Sequence, residues 1–229
     1  MQHLSYLDDT YREQADTSVL ATGEIDGEVW IAVEDCLFHP QGGGQPADRG
    51  WLDGIEVSPL RDAESGLIVL KAPDGGGLPA LEAGQPVQAR IDLEARRLHA
   101  ALHTAGHLIE AAGRAQGWIL AGNIHFPNQA RIEFTDQSGD SRLAEPEGRQ
   151  RATVDLRDFA VKAIAADLPV TAETDEAGRR TVSIGDVHSA ACGGTHVKSL
   201  GDLSEVELPP LKVKKGRIKV SYSARHADR

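Results

Sequence analysis

The sequence predicts an α+β protein in two parts. A small β-barrel-like N-terminal domain is expected over residues 1–88, and an α+β domain over residues 89–229. Two changes of pattern indicate this division. Short alternating apolar runs separated by turn residues fill the first part and are typical of strands. From Asp92 onward apolar residues recur with a helical period, and strand patterns return later in the chain.

Strand signals dominate the N-terminal part. The run Val29–Val33 is rich in residues that favour strands, and the pair Asp53-Gly54 is a turn signal. Gly84-Gln85-Pro86 ends the region. We therefore expect short strands joined by tight turns, as in a small barrel.

A long amphipathic helix is expected next, with Asp92 as its N-cap and Gly117 as its stop. Its apolar positions follow the helical period, at Leu98, Leu102, Ala105, Ile109 and Ala112. The helix also carries His99, His103 and His107. At a rise of about 1.5 Å per residue the outer two are about 12 Å apart. One ion cannot bind all three imidazoles, so His99 is assigned to packing or to a pocket rim.

The remaining sequence mixes strands, loops and a second helix. We predict a polar loop at residues 136–150, then an amphipathic helix from Thr153 to Ala166 with Thr153 as its cap. Cys192–His196 is expected in a glycine-containing loop. Strands are expected at residues 118–134, at residues 170–190 around a turn at Ala177-Gly178, and at the alternating positions Ile218, Val220 and Tyr222.

Composition restricts the class of protein. The chain has 229 residues, of which 40% are hydrophobic and 26% charged, as in soluble globular proteins, and its 4% aromatic content predicts an aliphatic core. No apolar run approaches the roughly 20 residues that span a bilayer. The N-terminus lacks the basic and apolar stretches of a signal peptide. Only two cysteines are present, so metal binding by one leaves no disulfide, which predicts a reducing cytoplasm.

The net charge of −11 does not favour a nucleic-acid partner, because phosphate binding requires a basic surface. Charges can nevertheless segregate. Arg90, Arg96 and Arg97 lie near the first helix, and residues 211–220 contain no acid and five basic residues, Lys212, Lys214, Lys215, Arg217 and Lys219. Either these cations form a local phosphate-contacting patch, or they are solvated edge-strand residues that discourage aggregation.

Two short motifs carry the ligand types that zinc prefers. His103 and His107 stand at i and i+4, one above the other on a helix face, where two imidazoles can share an ion. Cys192 and His196 repeat the spacing within Cys-Gly-Gly-Thr-His and add a thiolate and a third imidazole. A buried thiol and a solvated helix face would explain the same residues without a metal. The pairing of the two motifs favours a zinc site formed by all four residues.

Three motifs together resemble a known family. His-Thr-Ala-Gly-His at residues 103–107, followed far downstream by Cys-Gly-Gly-Thr-His-Val at residues 192–197, resembles the editing domain of alanyl-tRNA synthetase. It also resembles the free-standing relatives of that domain, the AlaX proteins. The stretch Phe38–Gly50 is similar to the glycine-rich motif of the medium-sized AlaX class. The motifs keep the family's order and span nearly the whole chain.

The resemblance implies a barrel-like first domain and an editing domain of the type common to threonyl- and alanyl-tRNA synthetases. It implies a Zn2+-dependent hydrolase that deacylates tRNA(Ala) mischarged with serine, or with glycine. The length leaves no room for a synthetase catalytic domain, so editing is expected in trans. The partner would be the mischarged tRNA, with no membrane involved and with candidate tRNA contacts at Lys212, Lys214, Lys215 and Arg217.

Hydrolysis of an aminoacyl ester needs an activated water, a polarised carbonyl and a positioned substrate. Zinc can supply the first two, so a zinc-bound water is the expected catalytic group and no side chain is assigned. Four protein ligands usually make a closed structural site, whereas catalytic zinc keeps a position open. Either one ligand is weak, or the coordination expands, or the ion orients the substrate while water is activated elsewhere. A purely structural ion is the remaining alternative.

Five residues are candidates for contacting the substrate: Thr104, Gly42, Gly43, Gly44 and Gln45. Thr104 adjoins a ligand and could contact the substrate hydroxyl. Consecutive glycines permit positive φ, and backbone N–H groups there could hold a carbonyl or phosphate oxygen. Periodicity alone favours a helix-surface threonine and an ordinary glycine turn; the resemblance favours a functional loop. Asp48 is expected to be a hydrogen-bonding partner within that loop.

Three departures from the family pattern bear on the amino acid removed. Gly106 stands where the family usually has threonine. Glycine costs about 1 kcal/mol relative to alanine in a helix, so we expect a neighbouring group to need the space beside the metal. No glutamine aligns within Gly122–Pro127, where the synthetase site carries one, and His39 replaces a tyrosine. The alternatives are therefore a deacylase of another misacylated tRNA or amino-acid ester, or a non-catalytic zinc-stabilised module that binds tRNA or a synthetase.

Overall fold

The structure, a computed structural model, describes residues 1–25, 27–73, 76–137 and 139–227. Two compact units divide the chain. The first combines Met1–Gly42 with Pro46–Arg97, and the second combines Gly43–Gln45 with Leu98–Arg229. The domain limits expected from the sequence, 1–88 and 89–229, stay a prediction, and the last two residues of the second range lie outside the described residues.

The first unit contains the predicted barrel. Antiparallel strands close in the order β1-β2-β5-β4-β3-β6, with β6 paired to β1. Asp53 and Gly54 join β3 to β4 in a hairpin, with φ of 48° and 81°, which confirms the turn predicted there. The strands are β1 (Gln14–Ile25), β2 (Glu28–Val33), β3 (Gly50–Leu52), β4 (Ile55–Arg61), β5 (Ile68–Lys71) and β6 (Pro86–Ile91).

A buried ion pair ties the first unit together. Asp48 accepts hydrogen bonds from His39 N at 2.5 Å and Arg96 Nε at 2.8 Å, which confirms its predicted role as a partner in the loop. Arg96 is fully buried and also donates to Leu37 O at 2.6 Å and Thr10 O at 3.2 Å. The inclusion of Arg96 in a phosphate-contacting patch is therefore wrong. Sequence spacing cannot show which cation will form a buried ion pair with a carboxylate that is distant in the chain.

The first helix has the ends that the sequence predicts. α1 spans Leu93–Ala115, and the Asp92 carboxylate accepts a hydrogen bond from Ala95 N at 3.0 Å, as an N-cap does. After the helix Gly117 takes a φ of 84°, the left-handed conformation that favours glycine. Both ends are set by local chemistry, which is why the sequence reveals them.

The second helix begins earlier than predicted. α2 spans Pro146–Ala165, and a short 3-10 helix, Ser141–Ala144, precedes it, so the loop assigned to residues 136–150 is wrong in its second half. Pro146 starts the helix because a first-turn residue needs no N–H partner. Thr153 is not the cap: it lies inside the helix, donates to Arg149 O at 2.8 Å and accepts from Leu211 N at 3.1 Å.

The described residues of the second unit form three antiparallel sheets. They confirm the predicted strands and the loop at Cys192–His196, except that Tyr222 lies between β14 and β15 and not in the strand that contains Ile218 and Val220. The orders are β13-β14-β8-β7, β11-β10-β9 and β12-β15. The strands are β7 (Trp118–Ile124), β8 (Arg131–Asp136), β9 (Val170–Thr174), β10 (Arg180–Ile184), β11 (His188–Ala191), β12 (Leu203–Glu207), β13 (Lys212–Lys214), β14 (Arg217–Ser221) and β15 (Ser223–His226).

Each unit has a largely aliphatic core, as the low aromatic content predicts. In the second unit Leu108 and Ile109 of α1, Leu156 of α2 and Val220 of β14 belong to one buried cluster. The barrel encloses another, which includes Ile31, Val57, Ile68, Leu70 and Ile91. Within the described ranges, no helix is both long and apolar enough to cross a membrane.

Candidate metal centre

Two chain segments of the second unit bring the four predicted ligands together. His103 and His107 lie on successive turns of α1, and Cys192 and His196 lie in the loop that follows β11. One potential ligand atom from each residue lies within 4.8 Å of all the others. The three imidazoles are buried and the thiol is partly buried.

The spacing of the ligand atoms fits zinc. Cys192 Sγ lies 3.5 Å from His103 Nε2 and 3.3 Å from His196 Nε2. Tetrahedral zinc, with bonds of about 2.0 Å to nitrogen and about 2.3 Å to sulfur, separates such atoms by about 3.5 Å. Among the described residues His107 Nε2 is buried without a hydrogen-bond partner. A cation shared by these atoms would satisfy that nitrogen.

Each imidazole is held through its other ring nitrogen. The Nδ1 partners are Gln45 Oε1 at 2.7 Å for His103, His188 Nε2 at 2.8 Å for His107 and Thr104 Oγ1 at 3.1 Å for His196. A partner at Nδ1 fixes the ring orientation and leaves Nε2 for an ion. The same arrangement at three residues leaves three Nε2 atoms oriented so that they could hold a metal ion.

Gln45 links the glycine-rich motif to the second ligand motif. Its Oε1 accepts from His103 Nδ1 and from Thr195 N at 3.0 Å, while its Nε2 donates to Thr195 Oγ1 at 2.9 Å. Because a carbonyl oxygen only accepts, the proton of His103 lies on Nδ1. Gln45 therefore braces the centre, and its predicted contact with the substrate stays a prediction.

The adjoining glycines differ in their surroundings. Gly43 and Gly44 have φ of 56° and 81°, as expected where glycine is needed. A β-carbon at Gly44 would collide with the Asn123 side chain, and Gly44 O accepts from His125 N at 2.8 Å. Gly42 is exposed and belongs to the first unit. Substrate binding by the three glycines stays a prediction.

The Thr104 hydroxyl is occupied within the protein. Its side chain is fully buried, and Oγ1 lies 3.1 Å from His196 Nδ1 and accepts from Val197 N at 3.2 Å. This geometry makes Thr104 a brace for a ligand. The predicted contact between Thr104 and a substrate hydroxyl stays a prediction.

The unusual Gly106 leaves room for an imidazole. A β-carbon there would lie 2.5 Å from His125 Nδ1 and 2.7 Å from Tyr222 Oη, both closer than atoms can pack. Tyr222 Oη donates to Leu102 O at 3.0 Å, so His125 Nδ1, at 2.6 Å, donates to Tyr222 Oη. The His125 ring stacks on that of His103 with centroids 4.4 Å apart. This explains the departure at residue 106 in physical terms.

Two of the buried imidazoles, those of His107 and His125, are neutral at physiological pH. Burial, together with the nearby His188, His125 and Arg114, lowers the pKa of His107 to about 3. Burial lowers the pKa of His125 to about 4. Burial also raises the pKa of the Cys192 thiol, an effect that the Gly194 N–H opposes. Neutral imidazole is the form that binds a metal, and metal binding would drive the thiol to thiolate.

Sequence reasoning missed a second layer of residues. Glu110 and Arg114 follow His107 by three and seven residues on α1, which places them on the same helix face as His107. Helical periodicity could therefore have identified them. No local signal marks His188 or His125. They reach the centre from β11 and from the segment after β7, which only the tertiary fold brings near α1.

The predicted tRNA contacts lie on one hairpin. Lys212, Lys214, Lys215 and Arg217 are exposed on or between β13 and β14. Lys212 pairs directly with Lys219, and Lys214 with Arg217. Directly paired residues share a sheet face, so the four paired cations, Lys212, Lys214, Arg217 and Lys219, lie together on one face. Binding of tRNA by this surface stays a prediction.

The chain is similar to named proteins along most of its length. Residues 180–216 match the threonyl and alanyl tRNA synthetase second additional domain. The protein named alanyl-tRNA editing protein AlaX-M of Pyrococcus horikoshii is 28% identical to this chain, over 88% of this chain and 88% of its own length. The protein of the same name from Saccharolobus solfataricus is also 28% identical, over 96% of this chain and 98% of its own length. The alanine–tRNA ligase of Methanopyrus kandleri is 30% identical over 90% of the chain. The chain spans about a quarter of that ligase, 24% of its length.

The second unit therefore carries a domain of the threonyl- and alanyl-tRNA synthetase editing type, which follows the predicted barrel in sequence. Within that class the chain is an AlaX-type homologue of the alanyl-tRNA synthetase editing domain. The resemblance inferred from the three motifs is confirmed.

Proposed function

We propose that the chain is an editing hydrolase that removes the amino acid from mischarged tRNA(Ala), chiefly serine and secondarily glycine. Two observations support the proposal. Relatives named alanyl-tRNA editing protein match 88% and 96% of the chain. One potential ligand atom from each of the four motif residues lies within 4.8 Å of the others; the residues are His103, His107, Cys192 and His196. This proximity is the single observation on which the proposed chemistry depends.

In this proposal the four residues hold Zn2+. Their donor types, their separations and the unpartnered Nε2 of His107 all fit that ion. When bound, zinc polarises an ester carbonyl and lowers the pKa of a water, the two requirements of ester hydrolysis at neutral pH. The two cysteines are free thiols, in keeping with the cytoplasmic location we also propose.

The protein's own side chains fix the geometry of the centre. Gln45, Thr104 and His188 each hold one imidazole through Nδ1. Burial keeps His107 neutral, so it presents a lone pair. Orientation of ligands before substrate arrives reduces the reorganisation that the reaction needs.

We further propose that the β13–β14 hairpin contacts the phosphates of the tRNA. Like charges placed directly opposite on a sheet destabilise it, yet Lys212 faces Lys219 and Lys214 faces Arg217. A phosphate backbone would offset that repulsion. The hairpin thus supplies a local basic surface on a chain whose net charge is −11.

The test is release of amino acid from tRNA(Ala) charged separately with serine, glycine and alanine. The proposal expects fast release from the seryl form, slower release from the glycyl form and little from the alanyl form. A zinc chelator should abolish release. Cys192→Ala should lose it while keeping the fold, and Cys36→Ala, which removes the other thiol, should retain it.

Two other results would redirect the assignment. Release only from another aminoacyl-tRNA would keep the hydrolase and change its substrate. No release from any substrate by folded, zinc-loaded protein, combined with unfolding of Cys192→Ala, would favour a zinc-stabilised binding module, for which the four-protein-ligand set is the motivating observation.

A further inference from the structure

We propose that His188 and Glu110 are positioning residues that orient His107 and set how tightly the centre holds its ion. The inference rests on the proposed zinc site. It concerns a layer of side chains behind that site, on the Nδ1 side of His107, which none of the ligand motifs contains. His107, Glu110 and His188 are all buried, and one ligand-type atom from each lies within 4.8 Å of the others.

A direct hydrogen bond joins the two imidazoles. His107 Nδ1 lies 2.8 Å from His188 Nε2. If His107 Nε2 binds the ion, its proton must lie on Nδ1, which then donates to the lone pair of His188 Nε2. His188 thereby selects the tautomer and the ring orientation that metal binding requires. It begins β11, the strand that leads directly to Cys192, so one segment carries both a brace and a ligand.

Glu110 places a fixed negative charge beside this pair. Its Oε2 lies 3.8 Å from His107 Nδ1 and 4.0 Å from His188 Nε2. Its Oε1 accepts from Arg114 Nε at 3.0 Å and Nη2 at 2.7 Å, so the carboxylate cannot swing away. A buried anion close to a ligand imidazole increases the attraction of that imidazole for a cation.

A second ion among His107, Glu110 and His188 is the competing explanation. Two nitrogens bound to one tetrahedral zinc are about 3.3 Å apart, from bonds of about 2.0 Å. The observed 2.8 Å is a hydrogen-bond length instead. Arg114 also neutralises the carboxylate that a second ion would need. These distances favour the positioning role, and the number of ions bound per chain separates the two.

The experiment measures zinc affinity by chelator competition, ions per chain, and the visible spectrum of the Co2+-substituted protein. His188→Phe keeps an aromatic ring, somewhat larger than imidazole, but removes the acceptor. It should bind zinc about 10–100-fold more weakly, as second-layer changes do elsewhere, and should shift the Co2+ spectrum. His188→Gln, which restores an acceptor, should recover most of the affinity.

Glu110→Gln keeps the shape and removes the charge, and should weaken binding by about tenfold. It also carries the test if His188→Phe fails to fold. The matched control is His39→Phe, a buried histidine of the first unit, which should leave affinity and spectrum unchanged.

Unchanged affinity and spectrum in His188→Phe and Glu110→Gln would overturn the proposal while leaving the zinc site intact. Two ions per chain in the wild type, with one lost in His188→Phe, would overturn it in favour of a second metal site. Absence of zinc binding by the wild type would instead overturn the proposed function on which it rests.

Discussion

At the scale of single residues, Gly106 shows how one missing β-carbon shapes the centre. The His125 ring occupies the space beside residue 106, stacks on His103 and donates to Tyr222. The sequence revealed the anomaly and the need for space, but not what fills it. His125 comes from a segment far from α1 in the chain, so its identity depends on tertiary structure.

Gly106→Ala should therefore destabilise the protein. Overpacking against His125 and Tyr222 costs about 1–3 kcal/mol. Better helix propensity offsets about 1 kcal/mol of that cost, so the net loss of stability is up to about 2 kcal/mol. Chemical denaturation measures the change. The cost should shrink in a His125→Ala background, where the collision is removed. Stabilisation by about 1 kcal/mol, as at an open helix position, would refute the packing account.

The lowered pKa values of two buried imidazoles should make the stability of the metal-free protein depend on pH. The folded pKa values of His107, about 3, and His125, about 4, lie below the ordinary value of 6.5. Below pH 6.5 the unfolded chain binds more protons than the folded chain, so stability falls as the pH drops from 6.5 toward 4.

Each such histidine contributes roughly 1.4 kcal/mol per pH unit within that window. The measurement is denaturation of chelator-treated protein between pH 4.5 and 7. His125→Gln should reduce the slope by about one proton equivalent, that is by roughly 1.4 kcal/mol per pH unit. An identical slope in this variant would show that His125 titrates normally.

At the scale of elements, the β13–β14 hairpin carries charge that its own pairing does not favour. The register places Lys212 opposite Lys219 and Lys214 opposite Arg217. The sequence identified the basic stretch, and the register adds that four of its cations share a face. That placement supports a role in phosphate contact over one in solubility alone.

Lys212→Gln combined with Lys214→Gln should weaken tRNA binding. If each lysine contacts one phosphate, the slope of log affinity against log salt should fall by about one per lysine. Binding to uncharged tRNA across a salt series measures it. The control, Arg151→Gln with Lys162→Gln, removes the same charge from the exposed face of α2. An equal loss of tRNA affinity in both double variants would show that the hairpin acts only through its contribution to the overall charge.

Elements also show where sequence reasoning succeeds and fails. Asp92 and Gly117 were identified because caps act within a few residues. The start of α2 was missed because its first turns are polar, and only the proline at Pro146 marks them. Thr153 suits a cap in isolation, but Leu211, distant in sequence, determines its role.

At the scale of the whole molecule, the two units have separate cores, an aliphatic barrel and a helix–sheet cluster. The strand-then-helix order predicted this arrangement from hydrophobic periodicity alone. The convergence of His103, His107, Cys192 and His196 was also predicted, because each motif places two metal-binding residue types four residues apart. The braces Gln45, His188 and Glu110 were not assigned as such, because their roles arise from contacts between remote segments.

The most direct measurement follows serine release from seryl-tRNA(Ala) as zinc is titrated into metal-free protein. The account predicts a rate that rises in proportion to bound zinc and saturates at one ion per chain, with no rise in Cys192→Ala. A rate that is the same without zinc as with it would contradict the claim that His103, His107, Cys192 and His196 form the centre on which editing depends.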